Sequence, residues 1–166
     1  MADYRETVDY ILGIPLFAQK IGKENLSSLL CRLGNPERAI PAVHVAGTNG
    51  KGSTCRALAQ MLTDMGYRVG LFISPHLVSI NERIQVDGVN ISDEDFVWAF
   101  ETVKEKFTQH PSFFEVMFAM AAVYFREKKC DFVVYETGMG GRLDATNVLM
   151  PELTIITSVG MDHMEY

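Results

Sequence analysis

Apolar side chains fall along this chain in two rhythms, and their alternation predicts its elements. The first forty residues read as helical: Leu26, Leu29, Leu30 and Leu33 recur at helical spacing, and Gly34-Asn35-Pro36 ends that run. Pro41 to Ala46 is a short apolar strand, AVHVA, followed by a Gly-rich turn and a helix from about Lys51 to Met65 with Gly66 beyond its end. Tyr67 to Ile73 predicts a second strand, closing at Ser74-Pro75, and Arg83 to Ile91 alternates around Asp87-Gly88 as a β-hairpin does. Ser92, with Asp95 three positions on, caps another helix, and a further helix covers roughly Ser112 to Lys128. Phe132 to Tyr135 and Leu153 to Ser158 are short, continuous apolar runs. Runs of that kind, alternating with helices, predict an α/β fold: a mostly parallel sheet with helices on both faces.

Composition narrows the class. A chain of 166 residues fits one domain, and 48% hydrophobic with 22% charged residues is enough apolar material for a core. No stretch approaches the roughly 20 apolar residues of a membrane span, and MADYRETVDY lacks the basic head and apolar run of a signal peptide. Cys31, Cys55 and Cys130 are far apart and odd in number, which reads as free thiols in a reducing, cytoplasmic setting. A net charge of -6 argues against nucleic acid as the main partner, while a single local site can still oppose that sign and hold phosphate.

The sharpest local signal is Gly47-Thr48-Asn49-Gly50-Lys51-Gly52-Ser53, between an apolar strand and a helix. Glycines let the backbone approach phosphates closely. Successive N–H groups form an anion nest, and the helix that follows adds its positive end. Lys51 brings a compact charge to the outer phosphates and Ser53 a hydroxyl for phosphate or Mg²⁺. The generic phosphate-loop pattern is incomplete: Val45 stands where its first glycine belongs, and Gly52 follows the lysine. A Gly-rich turn that merely packs a helix on a strand is the competing reading.

ATP brings Mg²⁺, which wants oxygen ligands, usually one or two carboxylates plus phosphate and water. Glu136 ends the apolar run FVVY and is expected at the carboxyl edge of the sheet, where ligands bind in open α/β folds; Gly138-Met139-Gly140-Gly141 then leaves room for a close approach. Ser74 and His163 close two other strands in the same topological position, so Lys51, Ser74, Glu136 and His163 should converge on one rim. Taken alone, Ser74 is an ordinary turn residue and His163 a structural histidine. Asp144, Thr146 and Asn147 could touch nucleotide or substrate or simply form turns. Asn81, Glu82 and Arg83 lie on a loop that could meet an anionic substrate or stand solvated. Phe113, Phe114, Met117, Phe118, Met120 and Met161 read as core.

Five motifs occur here in one order: HVAGTNGKGS, FISPHLVSINERI, FFEVMFAMAAVYF, VVYETGMGGRLDATN and TSVGMDH. Together they resemble the N-terminal domain of the folylpolyglutamate synthases and bifunctional dihydrofolate synthases, within the Mur ligase superfamily, from about Tyr4 to the last residue. The resemblance implies a P-loop NTPase-like fold of the Mur ligase central-domain type. It also implies an ATP-dependent ligase with ATP and Mg²⁺ as cofactors, and a folate or dihydropteroate and L-glutamate as small-molecule substrates. In such an enzyme ATP phosphorylates the carboxylate and the amine of glutamate attacks the acyl phosphate. By motif match, Gly47 to Ser53 would cradle the triphosphate with Asn147 beside it, and Ser74 and Glu136 would hold one metal and His163 a second. Lys51, Glu136 and His163 would serve catalysis, while Arg83 and Arg142 would line the substrate side. Family members are more than twice as long, so a truncated chain without the glutamate-binding domain, from a monomeric parent, is expected; Phe118 stands where relatives often have Thr. The alternatives are a Mur-type peptidoglycan ligase, which the lysine-loop spacing and Ser74-Pro75-His76 disfavour, a nucleotide switch or motor module, and a non-catalytic nucleotide-binding module.

Overall fold

The computed structural model describes residues 3–15 and 24–160. Helices α1 (Tyr4–Leu12) and α2 (Glu24–Arg32) open the chain, and Gly34 and Asn35, both with positive φ, end the second run. Strand β1 (Ala42–Ala46) leads through the glycine turn into α3 (Lys51–Asp64), and β2 (Val69–Phe72) follows. The hairpin of β3 (Ile84–Val86) and β4 (Val89–Asn90) turns at Asp87 and Gly88, whose φ values of 52° and 76° are those of a primed turn. Helix α4 (Asp93–Lys104) starts on the Ser92 cap. Helix α5 (Phe113–Glu127) starts on a full capping box between Ser112 and Glu115. Strands β5 (Phe132–Glu136) and β6 (Leu153–Ile156) complete a six-stranded sheet in the order β4-β3-β2-β5-β1-β6. The four strands β2, β5, β1 and β6 are parallel, and the hairpin adds two antiparallel strands at one edge.

The sheet is covered on both faces. On one, Cys55 and Ala59 of α3 pack over Val43, Val45, Val69, Leu71, Ile73 and Val134. On the other lies α5, which is apolar nearly all round and correspondingly buried, with Val116 to Ala121 no more than 0% exposed. Helices α1, α2 and α4 pack around α5 in turn, so it is the axis of the larger core. Phe118 sits in that core, 5.3 Å from the Tyr135 ring and 6.1 Å from that of Phe72. Met117, Met120 and Phe113 are buried there too, as the sequence predicts.

Three short 3-10 turns, Pro36–Arg38, Ile80–Arg83 and Ala145–Val148, have no counterpart in the sequence reading, because three or four residues carry no periodic signal. Strand β6 differs from expectation in burial. Its apolar run predicts a covered strand, yet Leu153 is 51% and Ile156 64% exposed, because β6 pairs with β1 on one side and with no other described strand. No helix among the described residues is long and apolar enough to cross a membrane.

Gly70 of β2 lies beneath α5, where an added Cβ would stand 2.7 Å from the Phe125 ring. Gly70→Ala should therefore cost about 1–3 kcal/mol by overpacking. Denaturant unfolding of the full-length protein measures it, and an unchanged midpoint would show that the ring has room to retreat.

Candidate functional site

Parallel register brings the strand ends into line: Val45 stands opposite Glu136, Ala46 opposite Ile156, and Phe72 opposite Tyr135. The segments that leave β1, β2, β5 and β6 thus emerge at a single carboxyl edge. There the glycine turn is clasped from the side by the residues after β6. Thr48 N–H donates to Ser158 O at 2.8 Å, Asn49 N–H to Ser158 Oγ at 3.1 Å, and Thr157 Oγ1 to Asn49 O at 2.7 Å. Gly160 N–H donates to Thr48 Oγ1 at 2.9 Å. Gly47, with φ 135°, is the position where only glycine fits: a Cβ would collide with Thr157 Oγ1 and approach Ser158 O to 2.9 Å.

This clasp revises the expected nest. The amides of Thr48 and Asn49 are engaged by Ser158, so the donors left at the rim are those of Gly50, Lys51, Gly52 and Ser53. They precede the first intrahelical bond, Thr54 N–H to Gly50 O. Lys51 Nζ folds over the turn and donates to Gly47 O at 2.7 Å and Thr48 O at 3.3 Å, which leaves one of its three donors for a ligand.

Glu136 faces that helix start. It is 3% exposed, its Oε2 accepts the Ser74 N–H at 2.8 Å, and a Cβ on Gly52 would stand 3.5 Å from its Oε1. Lys51, Ser74 and Glu136 therefore share one rim. Burial pushes the Glu136 carboxyl above the usual range; the Ser74 amide and the charges of Lys51, Arg56 and Arg83 pull the other way. Oε1 takes no hydrogen bond from any described residue. A buried, desolvated carboxylate with a free oxygen beside a row of amides fits a hard divalent cation that also uses phosphate and water. Among the described residues no group of three or more His, Cys, Asp or Glu that could hold a metal ion stands together. Cys55, beneath the helix start, has its thiol pushed up to about 12, mainly by burial, and is no nucleophile. His163 and Met161 lie outside the described residues.

The loop after β2 is split in burial: Leu77 and Val78 stand 87% and 91% exposed, whereas Asn81 and Arg83 at its end are buried. Asn81, 6% exposed, accepts from Tyr4 Oη at 2.6 Å and donates to Ile91 O and Asp93 Oδ1. Glu82 is a cap: its carboxylate accepts from the N–H groups of Leu77, Val78 and Ser79 at 2.8–2.9 Å. Arg83, 8% exposed, donates from Nε to His76 Nδ1 at 2.9 Å and lies 5.1 Å over the Phe113 ring. Burial lowers its pKa, and the charge of Glu136 opposes that shift. The Asp144 carboxylate is likewise consumed inside its own turn, whereas Arg142 is exposed and its carbonyl accepts from Asn147 Nδ2 at 2.9 Å. The clasp by Thr157, Ser158 and Gly160 escaped the sequence reading. Its trace is the run of small polar residues Thr157-Ser158 where an apolar strand ends.

Residues 45–166 match the family described as the Mur ligase middle domain. The chain belongs to that family. The Mur ligase middle-domain residues include the glycine turn, Ser74, Glu136 and the clasp. A dihydrofolate synthase/folylpolyglutamate synthase of Bacillus subtilis is 47% identical over 97% of this chain, which spans 39% of that relative's length. A crystal structure of the Thermotoga maritima folylpolyglutamate synthase superposes with a TM-score of 0.90 at 42% identity, covering 95% of this chain and 38% of that one. The Escherichia coli FolC structure in complex with DHPP and ADP superposes with a TM-score of 0.92 at 33% identity, covering 99% of this chain and 40% of its own. The chain thus spans about two-fifths of the length of these relatives.

The raised carboxyl of Glu136 makes a signed prediction. A folded-state shift upward stabilises the protein below the ordinary carboxylate value of 4.5, and that contribution is lost as pH rises through the raised value. Without Mg²⁺, the wild type should lose thermal stability relative to Glu136→Gln as pH rises from about 4 to about 8; glutamine keeps the acceptor for Ser74 N–H without the charge. Melting curves of both proteins in a chelator would contradict this by running parallel.

Proposed function

We propose that this chain is the ATP-binding domain of a ligase that joins L-glutamate to the carboxylate of a folate or of dihydropteroate. The reading rests on the approach of Glu136 to Gly52, which sets a buried carboxylate beside the amides and lysine of a phosphate-binding helix start. ATP transfers its γ-phosphoryl group to the substrate carboxylate, giving an acyl phosphate and ADP. The glutamate amine then attacks the acyl carbon, the amide forms, and phosphate leaves.

Each residue has a part in that sequence. The amides from Gly50 to Ser53 bind the phosphates, Gly47, Thr48 and Asn49 shape the turn that presents them, and Lys51 offsets charge as the γ-phosphoryl group moves. Glu136 and the Ser74 hydroxyl would hold one Mg²⁺ and His163 a second; bound there, the metal neutralises phosphate charge and orients the transferring group. Asn147 lies on the nucleotide side, and Arg83 and Arg142 on the side of the acidic substrate, Arg83 acting through His76. On this reading the glutamate-binding domain belongs to sequence outside these 166 residues, and the parent is a cytoplasmic monomer whose partners are small molecules alone.

ADP release by the full-length protein, assayed separately with dihydropteroate and with a tetrahydrofolate, tests the proposal and identifies the acid. Lys51→Ala should lower turnover roughly hundredfold or more while the fold survives, and Glu136→Gln should raise the Mg²⁺ concentration needed for half-maximal rate. Undiminished turnover in the first, or an unchanged Mg²⁺ titration in the second, would refute the assigned role.

A further inference from the structure

Behind the rim, three buried side chains form a chain of hydrogen bonds whose protons can be counted. His44 Nε2 lies 2.7 Å from Thr146 Oγ1, and Thr146 Oγ1 in turn bonds Asp144 Oδ1. The three residues are 7%, 0% and 8% exposed. Asp144 accepts everything it meets: Thr146 N–H on Oδ1 at 2.9 Å, and the N–H groups of Gly138 and Met139 on Oδ2 at 2.8 and 2.9 Å. A carboxylate offers no proton, so the Thr146 hydroxyl must donate to it. A hydroxyl has one proton, so Thr146 Oγ1 can only accept from His44. His44 therefore carries a proton on Nε2. Burial lowers the pKa of His44, with Asp144 opposing, which favours the neutral ring.

The two ends of this chain are the elements that build the site. His44 is in β1, three residues before Gly47, and opposite Tyr135, the neighbour of Glu136. Asp144 gathers the loop that follows Glu136. The amides of Gly138 and Met139 turn in toward its carboxylate, its own N–H donates to Gly141 O at 3.1 Å, and its carbonyl accepts Asn147 N–H at 3.0 Å. That loop carries Arg142 and Asn147.

We infer that Asp144, Thr146 and His44 form a proton-ordered positioning relay that fixes the Gly138–Asn147 loop against the strand feeding the phosphate turn. All three are buried, and they act through the loop. The inference rests on the proposed function for what the loop contacts, and on hydrogen-bond counting alone for the relay.

Two measurements on the full-length protein test it. The first is ¹⁵N NMR of the histidine rings in the wild type, which needs no substrate and so stands apart from the ligase reading. The His44 ring should show a protonated Nε2; a bare Nε2, with the proton on Nδ1, overturns the relay. The second is calorimetric titration with Mg·ATP. Thr146→Val, which keeps the shape without the hydroxyl, should weaken binding roughly tenfold, as loss of an outer-shell contact does elsewhere, and Thr146→Ser should restore it. Should the valine protein fail to fold, His44→Gln, whose amide still donates to Thr146, should bind as the wild type and His44→Met should not. Unchanged affinity in Thr146→Val or in His44→Met, or a loss that serine and glutamine leave unrepaired, refutes positioning. Total absence of ADP release with every acid would sink the ligase reading and leave the NMR result to judge the relay.

Discussion

A carboxylate is held almost out of water within reach of a helix start, and the rest of the site is arranged around that burial. Glu136 is stripped of solvent by the sheet beneath it and α3 beside it, and protein hydrogen bonding satisfies one of its oxygens through Ser74 N–H. Such a group is unfavourable by itself. On the proposed function a cation and phosphates would complete the charge balance, since interactions at low dielectric are stronger than in water. Gly52 marks how close the two come: an added Cβ there would be in van der Waals contact with Glu136, 3.5 Å from Oε1.

Two further devices keep the rim in shape. Parallel pairing fixes β1 and β5 in a register that sets Val45 opposite Glu136, so the phosphate turn and the carboxylate leave the sheet side by side. The clasp from Thr157, Ser158 and Gly160 then holds Thr48 and Asn49 from the β6 side. The site is therefore assembled from residues more than a hundred positions apart, and its precision comes from the sheet. Affiliation with the Mur ligase middle-domain family agrees with this plan. The similarity to folate ligases covers nearly the whole chain and two-fifths of theirs.

Much of this was readable in the sequence, and the boundary is physical. The strand–glycine–helix order around Lys51 and the end of the apolar run at Glu136 are local patterns, and both put their residues on the rim. The cap at Ser92 and the turn at Asp87-Gly88 are equally local. What escaped depends on distant partners. Arg83 looks like a loop arginine until Phe113 and His76 are seen to enclose it. Asp144 looks like a ligand candidate until its carboxylate is found filled by Gly138, Met139 and Thr146. The nest amides shift toward Gly50–Ser53 because Ser158, from the other end of the chain, takes those of Thr48 and Asn49.

The most direct test is a crystal structure of the full-length protein with Mg²⁺ and a non-hydrolysable ATP analogue. A divalent ion bonded to Glu136 Oε1, with the phosphates on the amides of Gly50–Ser53 and on Lys51 Nζ, is the expected result. A nucleotide bound elsewhere, or an ion held away from Glu136, would contradict the account.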